Sequence, residues 1–279
     1  MNFNDLRCCL MDKMIKVVVV VAFLLFILFI IFVAGISTNM KTYQSSATAL
    51  NTRKIEWGIK RGKDHKQPDL GSDNLKVMSE FNGIALGNSE KKIIYLTFDV
   101  GYDGGYMQQI LETLKNNQVK AAFFVTGQFI KTSSDVAKQI IDEGHILANH
   151  TVNHKSMPSL SKEEIEEEVM NLHKDVFEKL NYEMKYIRPP KGEYSEKSVA
   201  VTNSLGYKTV MWSFAYDDWD DNKQGREEYA KQKIMDNLHN GEVMLLHATS
   251  KDNANILDEI IKKIKTEGYE FKSLDEFEN

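Results

Sequence analysis

The sequence predicts an α/β fold, a parallel sheet flanked by helices and preceded by one N-terminal apolar span, and three observations carry that reading. From Lys92 onward, short β-rich apolar runs alternate with longer helical patterns, as repeated βα units do. Helical stretches ending near Glu143, Leu205 and Glu267 are each followed by a glycine, Gly144, Gly206 and Gly268, the usual C-terminal stop. Val17 to Ile36 contains no charged side chain. At about 1.5 Å per residue such a run crosses a hydrocarbon core of roughly 30 Å.

The N-terminal elements follow from charge. Arg7, Lys13 and Lys16 precede the span, so the positive-inside rule keeps residues 1–16 in the cytoplasm and everything after Ile36 outside, with Lys41 opposing it slightly. Secretory h-regions run about 7–15 apolar residues, so residues 17–36 read as an uncleaved single-pass anchor rather than a signal peptide. The expected location is the cell membrane, with the main domain extracytoplasmic. Cys8 and Cys9 are the only cysteines and fall on the cytoplasmic side, so the exported part relies on its core, not on disulfides. Residues 37–52 are small and polar, as a stalk would be. Residues 53–91 mix Trp57, Phe81, Ile84 and Leu86 with Gly58, Gly62, Pro68 and Gly71 and read as a loop-rich extension of the main domain. With 35 basic and 40 acidic residues, net charge −5, there is no broad basic surface for nucleic acid.

Residues 92–279 form the main domain. Its strands are expected at Ile93–Phe98, Ala121–Val125, Ile146–Ala148, Tyr186–Arg188, Thr209–Phe214, Val243–His247 and Glu270–Lys272. A helix opens at Ser161 with the capping-box pattern Ser161-Lys162-Glu163-Glu164. Such repeats can close into a barrel or remain an open doubly wound sheet, and periodicity does not choose. Asp99, His150, Arg188, Asp218 and His247 all fall at or just beyond the C-terminal ends of these strands, where both architectures build active sites.

Each of these residues has a chemical and a plain reading. His150 and His154, in His-x-x-x-His after a strand, can turn two imidazoles toward one ion at a solvent-facing rim, although the bare spacing is common. Asp99 is a candidate general base or an ordinary helix cap. Arg188-Pro189-Pro190-Lys191-Gly192 couples a bidentate donor to a rigid turn and suits the positioning of a carboxylate such as Asp99. His247 can donate a proton near neutrality, and Asp218 and Trp219 can supply its carboxylate partner and an aromatic wall for a sugar ring. A structural histidine beside an acidic turn is the plain alternative.

Taken in order, Thr97-Phe98-Asp99, His150-Thr151-Val152-Asn153-His154, Arg188-Pro189-Pro190-Lys191-Gly192, Asp218-Trp219 and Leu245-Leu246-His247 resemble the five motifs of the polysaccharide deacetylase (NodB-homology) family. The resemblance implies a distorted (β/α)7 barrel. It implies Asp99 as base, His247 as acid, Arg188 orienting Asp99, and Asp218 tuning His247. It further implies a divalent metal on His150 and His154; imidazole ligands in an exported enzyme make Zn²⁺ the first expectation, with Co²⁺, Mn²⁺ or Ni²⁺ as alternatives, and Asp99 or Asp103 can add an oxygen donor. Pro190, Gly192, Trp219 and Leu245 stand within the motifs as expected substrate contacts. The run Thr97 to Tyr106, with Trp57-Gly58 and Lys60-Arg61, is similar to the delta-lactam-biosynthetic de-N-acetylases of spore cortex. That likeness implies N-acetylmuramic acid in peptidoglycan glycan strands as the substrate. Most of the family carry a second Asp as third metal ligand directly after the base. Here that position is Val100, which cannot ligate. Two rivals stand beside this reading: a deacetylase of N-acetylglucosamine in peptidoglycan or another glycan, and an inactive membrane-tethered glycan-binding protein. Val100 alone motivates the second, and the retained acid and base oppose it.

Overall fold

The structure, a computed structural model, describes residues 50–278. The predicted cytoplasmic segment, the anchor at 17–36 and the stalk as far as residue 49 lie outside the described residues. No helix among the described residues is long and apolar enough to cross a membrane.

In chain order the elements are β1 (Ile55–Glu56), α1 (Ser72–Glu80), β2 (Ile93–Val100), α2 (Met107–Asn116), β3 (Ala122–Val125), α3 (Gly127–Thr132), α4 (Ser134–Asp142) and β4 (Ile146–Asn149). There follow α5 (Lys162–Leu180), β5 (Tyr186–Ile187), β6 (Glu193–Tyr194), α6 (Glu196–Ser204), β7 (Lys208–Thr209), α7 (Glu227–Asp236), β8 (Glu242–His247), α8 (Lys251–Thr266) and β9 (Glu270–Phe271). Seven strands form one parallel sheet in the order β7-β5-β4-β3-β2-β8, with β9 paired to the start of β2.

β2 is buried along its whole length and shows why the sheet takes layers on both faces. Its alternate residues diverge, as a period of two requires. Ile94, Leu96, Phe98 and Val100 join the large cluster formed with the helices, whereas Ile93 and Tyr95 join a smaller inner cluster with Phe124, Ala148 and Val243. Phe98 stacks on Phe123 at a centroid distance of 5.1 Å. Truncating such a side chain costs about 3–5 kcal/mol. The helices present matching stripes: α2 buries Met107, Ile110, Leu111 and Leu114, spaced i, i+3, i+4, i+7. α5 opens on the expected box, Glu164 N–H donating to Ser161 Oγ at 3.1 Å and Ser161 N–H to Glu164 Oε2 at 2.7 Å.

The sheet curls and does not close as a regular barrel. The strand expected at Thr209–Phe214 is one extended segment whose backbone bonds go to three partners. Lys208–Thr209 pair with β5, Ile84 takes Val210 in an isolated bridge, and Phe214 bridges Met244 of β8. The segment thus spans the gap between the two sheet edges, with Val210 N–H on Ile187 O at 2.8 Å and Leu245 N–H on Phe214 O at 2.9 Å. This split is the physical origin of the distortion.

The 53–91 segment carries two short regular elements among its loops. β1 pairs antiparallel with β6, α1 spans nine residues, and Trp57 donates from Nε1 to Trp212 O at 2.9 Å. Trp57, Leu70, Val77, Met78, Tyr194 and Met211 make a third apolar cluster. α1 escapes a periodicity reading because only Val77 and Met78 among its apolar residues are buried.

Candidate active site

The C-terminal ends of the strands surround one cavity of about 1280 Å³. Asp99 and His247 are register partners on β2 and β8, so the two side chains implied as base and acid arise side by side from adjacent strands.

Arg188, just past β5, is fully buried beneath Asp99. Its Nη1 donates to Asp99 Oδ1 at 2.7 Å, its Nη2 to Thr97 Oγ1 at 2.9 Å and its Nε to Val210 O at 3.1 Å. The guanidinium lies 4.1 Å from the Phe124 ring centroid, which fixes its plane. Burial by itself pushes the Asp99 carboxyl upward, but the charge of Arg188, followed by His150 and His247, outweighs it and holds the group below its ordinary value. Asp99 is therefore an anion at neutral pH. Removing one partner of a buried ion pair of this kind costs about 3–5 kcal/mol.

The histidine pair sits in a folded loop rather than on a helical turn. Thr151 (φ 68°) and His154 (φ 55°) both take left-handed backbone, which costs of order 1–3 kcal/mol each and turns one ring back toward the other. Asn153, whose N–H and side-chain amide are held by Glu168 at 2.8 and 2.7 Å, fixes the loop between them. The His150 and His154 Nε2 atoms are 3.1 Å apart. Arg188 O can only accept, so the 2.8 Å contact with His150 Nδ1 places the proton on Nδ1 and leaves a lone pair on Nε2. Burial lowers His150 despite Asp99, and burial together with His150 holds His154 down to about 4. Two neutral imidazoles with converging Nε2 atoms, one anchored through its other nitrogen to a backbone carbonyl, have the donor chemistry of a divalent metal site. The residues present therefore fit an ion.

The expected accessory ligands are less favourable. Asp99 Oδ2 lies 3.5 Å from His150 Nε2 and is the oxygen within reach, yet no ready-made set of three such ligands is found among the described residues. Asp103 is not recruited: its Oδ1 accepts from Gly105 N–H at 2.8 Å in a local turn, and it does not line the cavity. Val100 is fully buried in the outer apolar cluster, on the strand face opposite Asp99, and does not line the cavity either. His150 is itself only 3% exposed, so the pair is not the solvent-facing rim anticipated; His154 alone is partly open.

On the other wall, Asp218 clamps His247. Asp218 Oδ1 accepts from His247 Nδ1 at 2.8 Å, and Oδ2 accepts from His247 N–H at 2.7 Å and Asn253 Nδ2 at 2.6 Å. Burial would lower the imidazole, but the Asp218 charge and hydrogen bond, with Asp99 adding, raise it above its ordinary value. Nε2 is left to the cavity as a proton donor.

Of the substrate contacts expected, Gly192, Trp219 and Leu245 line the cavity. Trp219 is 62% exposed and Leu245 is buried opposite Thr97. A Cβ on Gly192 (φ 67°) would lie 2.7 Å from the Trp212 ring, so no other residue fits there. Pro190 does not reach the cavity. It is buried and opens the short 3-10 turn that presents Lys191 and Gly192. Sequence reasoning missed Thr97 as a partner of Arg188, Asn253 as a partner of Asp218, and the lining residues Trp212 and Tyr216.

Comparison with known proteins identifies the family. A family model described as polysaccharide deacetylase matches residues 86–210. The chain is 40% identical over 235 residues to an uncharacterized 30.6 kDa protein of Geobacillus stearothermophilus, covering 84% of this chain and 89% of that one. It is 38% identical over 233 residues to the peptidoglycan-N-acetylmuramic acid deacetylase PdaA of Bacillus subtilis, covering 83% of this chain and 89% of that protein. The solved structure of that PdaA, a family 4 carbohydrate esterase, matches with a TM-score of 0.79 over 82% of this chain and 98% of its own. A peptidoglycan-N-acetylglucosamine deacetylase of Bacillus cereus is 32% identical over 191 residues, 67% of this chain and 89% of that protein. The likeness extends over most of each relative's length, well beyond the five motifs, and the chain belongs to the polysaccharide deacetylase family of carbohydrate esterases.

Proposed function

We propose that this protein is a metal-dependent peptidoglycan N-deacetylase acting on N-acetylmuramic acid, leading to muramic δ-lactam in spore cortex. The observation that carries the reading is the pairing of a buried Arg188–Asp99 base with an Asp218–His247 acid on adjacent strands, beside two converging neutral imidazoles. The 38% identity to an N-acetylmuramic acid deacetylase, against 32% to an N-acetylglucosamine deacetylase, supports muramic acid as the substrate sugar.

In this mechanism His150 and His154 would hold a divalent ion, Zn²⁺ or else Co²⁺, Mn²⁺ or Ni²⁺. The chemistry such an ion supplies is Lewis-acid polarisation of the acetyl carbonyl and of the attacking water. Asp99, kept anionic by Arg188, takes a proton from the attacking water as it adds to the carbonyl carbon. His247 gives its Nε2 proton to the sugar nitrogen as the C–N bond breaks, which is necessary because an amide anion is too basic to leave. Asp218 holds the His247 ring and stabilises its cation beforehand. Trp219, largely exposed at the cavity edge, offers a face for the sugar ring.

The apolar run Val17–Ile36 supports a single-pass membrane anchor with the catalytic domain outside the cytoplasm. The function is tested by incubating peptide-free glycan strands with the purified protein and identifying the amino sugars that lose acetyl. Muramic units that have lost acetyl, as the free amine or, with further loss of water, as the δ-lactam, are the expected product; loss of acetyl at glucosamine alone would refute the muramic assignment, and loss at neither sugar would refute the reaction.

A further inference from the structure

The active-site cavity is larger than the reaction needs. At about 1280 Å³ it exceeds the roughly 300–1,000 Å³ that ordinary small-ligand pockets occupy, so it has room for more than one sugar unit. Away from Asp99 and the histidines it continues between α3 and α5. Gln128 and Lys131 line it from α3, and Asp175 and Lys179 from α5. Residues three or four apart share a helix face, so one face of each helix borders the same groove.

The charge there runs against the chain as a whole. The protein carries a net −5, yet this arm and its inner end bring Lys131, Lys179 and Lys191 against a single carboxylate, Asp175. Nearby exposed lysines are neutralised on their own helices, Lys174 near Glu178 at 3.8 Å and Lys138 on Asp142 at 2.5 Å. Lys131 and Lys179 make no ion pair among the described residues. Each stands in the last turn of its helix, where a cation favours the C-terminal dipole. That accounts for a lysine at each helix end but not for both opening onto the substrate groove.

We propose that Lys131 and Lys179 form a distal anionic subsite that takes the lactyl carboxylate of a second muramic residue on the strand being deacetylated. The proposal rests on the functional reading above. In an alternating strand only the muramic units carry a carboxylate, so negative charge recurs at every second sugar. An uncharged sugar then lies between the reacting unit and the distal one, where the groove offers the amides of Asn153 and Gln128.

The test uses the full-length chain and two peptide-free substrates, fragments with one muramic residue and fragments with several. In the K131M/K179M variant, KM for the longer fragments rises about 3- to 10-fold, as two exposed ion pairs imply, with kcat unchanged. The short fragment, which cannot reach the subsite, is the internal control. Asp175→Asn lowers KM for the longer fragments, K131R/K179R retains it, and high salt narrows all the differences. An equal KM change on both fragments, or none on either, overturns the proposal. The deacetylated sugar is identified in the same samples, so a glucosamine specificity would sink the functional reading while the length dependence still decides the subsite.

Discussion

Asp218→Asn isolates the acid side of the site with almost no change of shape. The native carboxylate accepts three hydrogen bonds, from His247 Nδ1, His247 N–H and Asn253 Nδ2, at 2.6–2.8 Å. An asparagine can keep the two bonds made to one oxygen, but its amide nitrogen must then face His247 Nδ1. That nitrogen has to become an acceptor, so the ring turns to the neutral tautomer protonated at Nε2. A charge-assisted bond is worth about 1.5–3 kcal/mol, and its loss from the imidazolium lowers kcat/KM by about 10- to 150-fold; the tautomer change carries the effect toward the 10²–10⁴ of full acid–base catalysis. The sign with pH is fixed. The acid must be protonated, and native His247 is raised above the ordinary imidazole value, so activity persists below that raised pKa and falls as pH climbs through it. In the variant, burial acts without the opposing carboxylate, and the alkaline limb moves to lower pH. The assay is the pH profile of kcat/KM for acetate release, with circular dichroism to confirm folding. An alkaline limb at its native position in a folded variant would refute His247 as the acid tuned by Asp218.

Further variants probe the remaining parts of the site. Val100→Asp places a carboxylate in the outer apolar cluster and lowers stability by about 2–4 kcal/mol in urea unfolding; an unchanged midpoint would mean that position 100 faces the polar site after all. His150→Ala and His154→Ala both remove metal-dependent activity, but calorimetry separates them. The buried His150, bonded to Arg188 O, costs roughly 2 kcal/mol or more, and the partly open His154 about 1 or less; equal losses would contradict the packing described. Thr97→Val leaves Arg188 Nη2 and Met244 O without their 2.9 and 2.7 Å partner and lowers stability by about 1–3 kcal/mol, so wild-type stability in that variant would show that the hydroxyl does not anchor the arginine.

Much of this arrangement is legible in the sequence because it lies where apolar strands end. Asp99, His150, Arg188 and His247 each follow a β-rich run, and the chemistry of the side chains does the rest. What escapes depends on contacts across long stretches of chain. Thr97 meets Arg188 from 91 positions away and Asn253 meets Asp218 from 35, and neither pairing leaves a periodic or local signal. The segment at 208–214 looks like one strand because its residues are suited to extended backbone, yet its partners are β5, Ile84 and β8 in turn, a division set by closure of the sheet. Position 100 shows the limit of motif reasoning. A family pattern assigns it to the metal, and strand alternation turns the valine that stands here toward the helices.

The proposed reaction needs an ion on His150 and His154 working with Asp99 and His247 to hydrolyse an acetamide. Acetate released from peptide-free glycan strands by chelator-treated protein, followed as Zn²⁺ is titrated back, tests it most directly. Chelation is expected to abolish release, and one ion per chain to restore it. Release that continues unchanged after the metal is removed, or that needs more than one ion per chain, would contradict it.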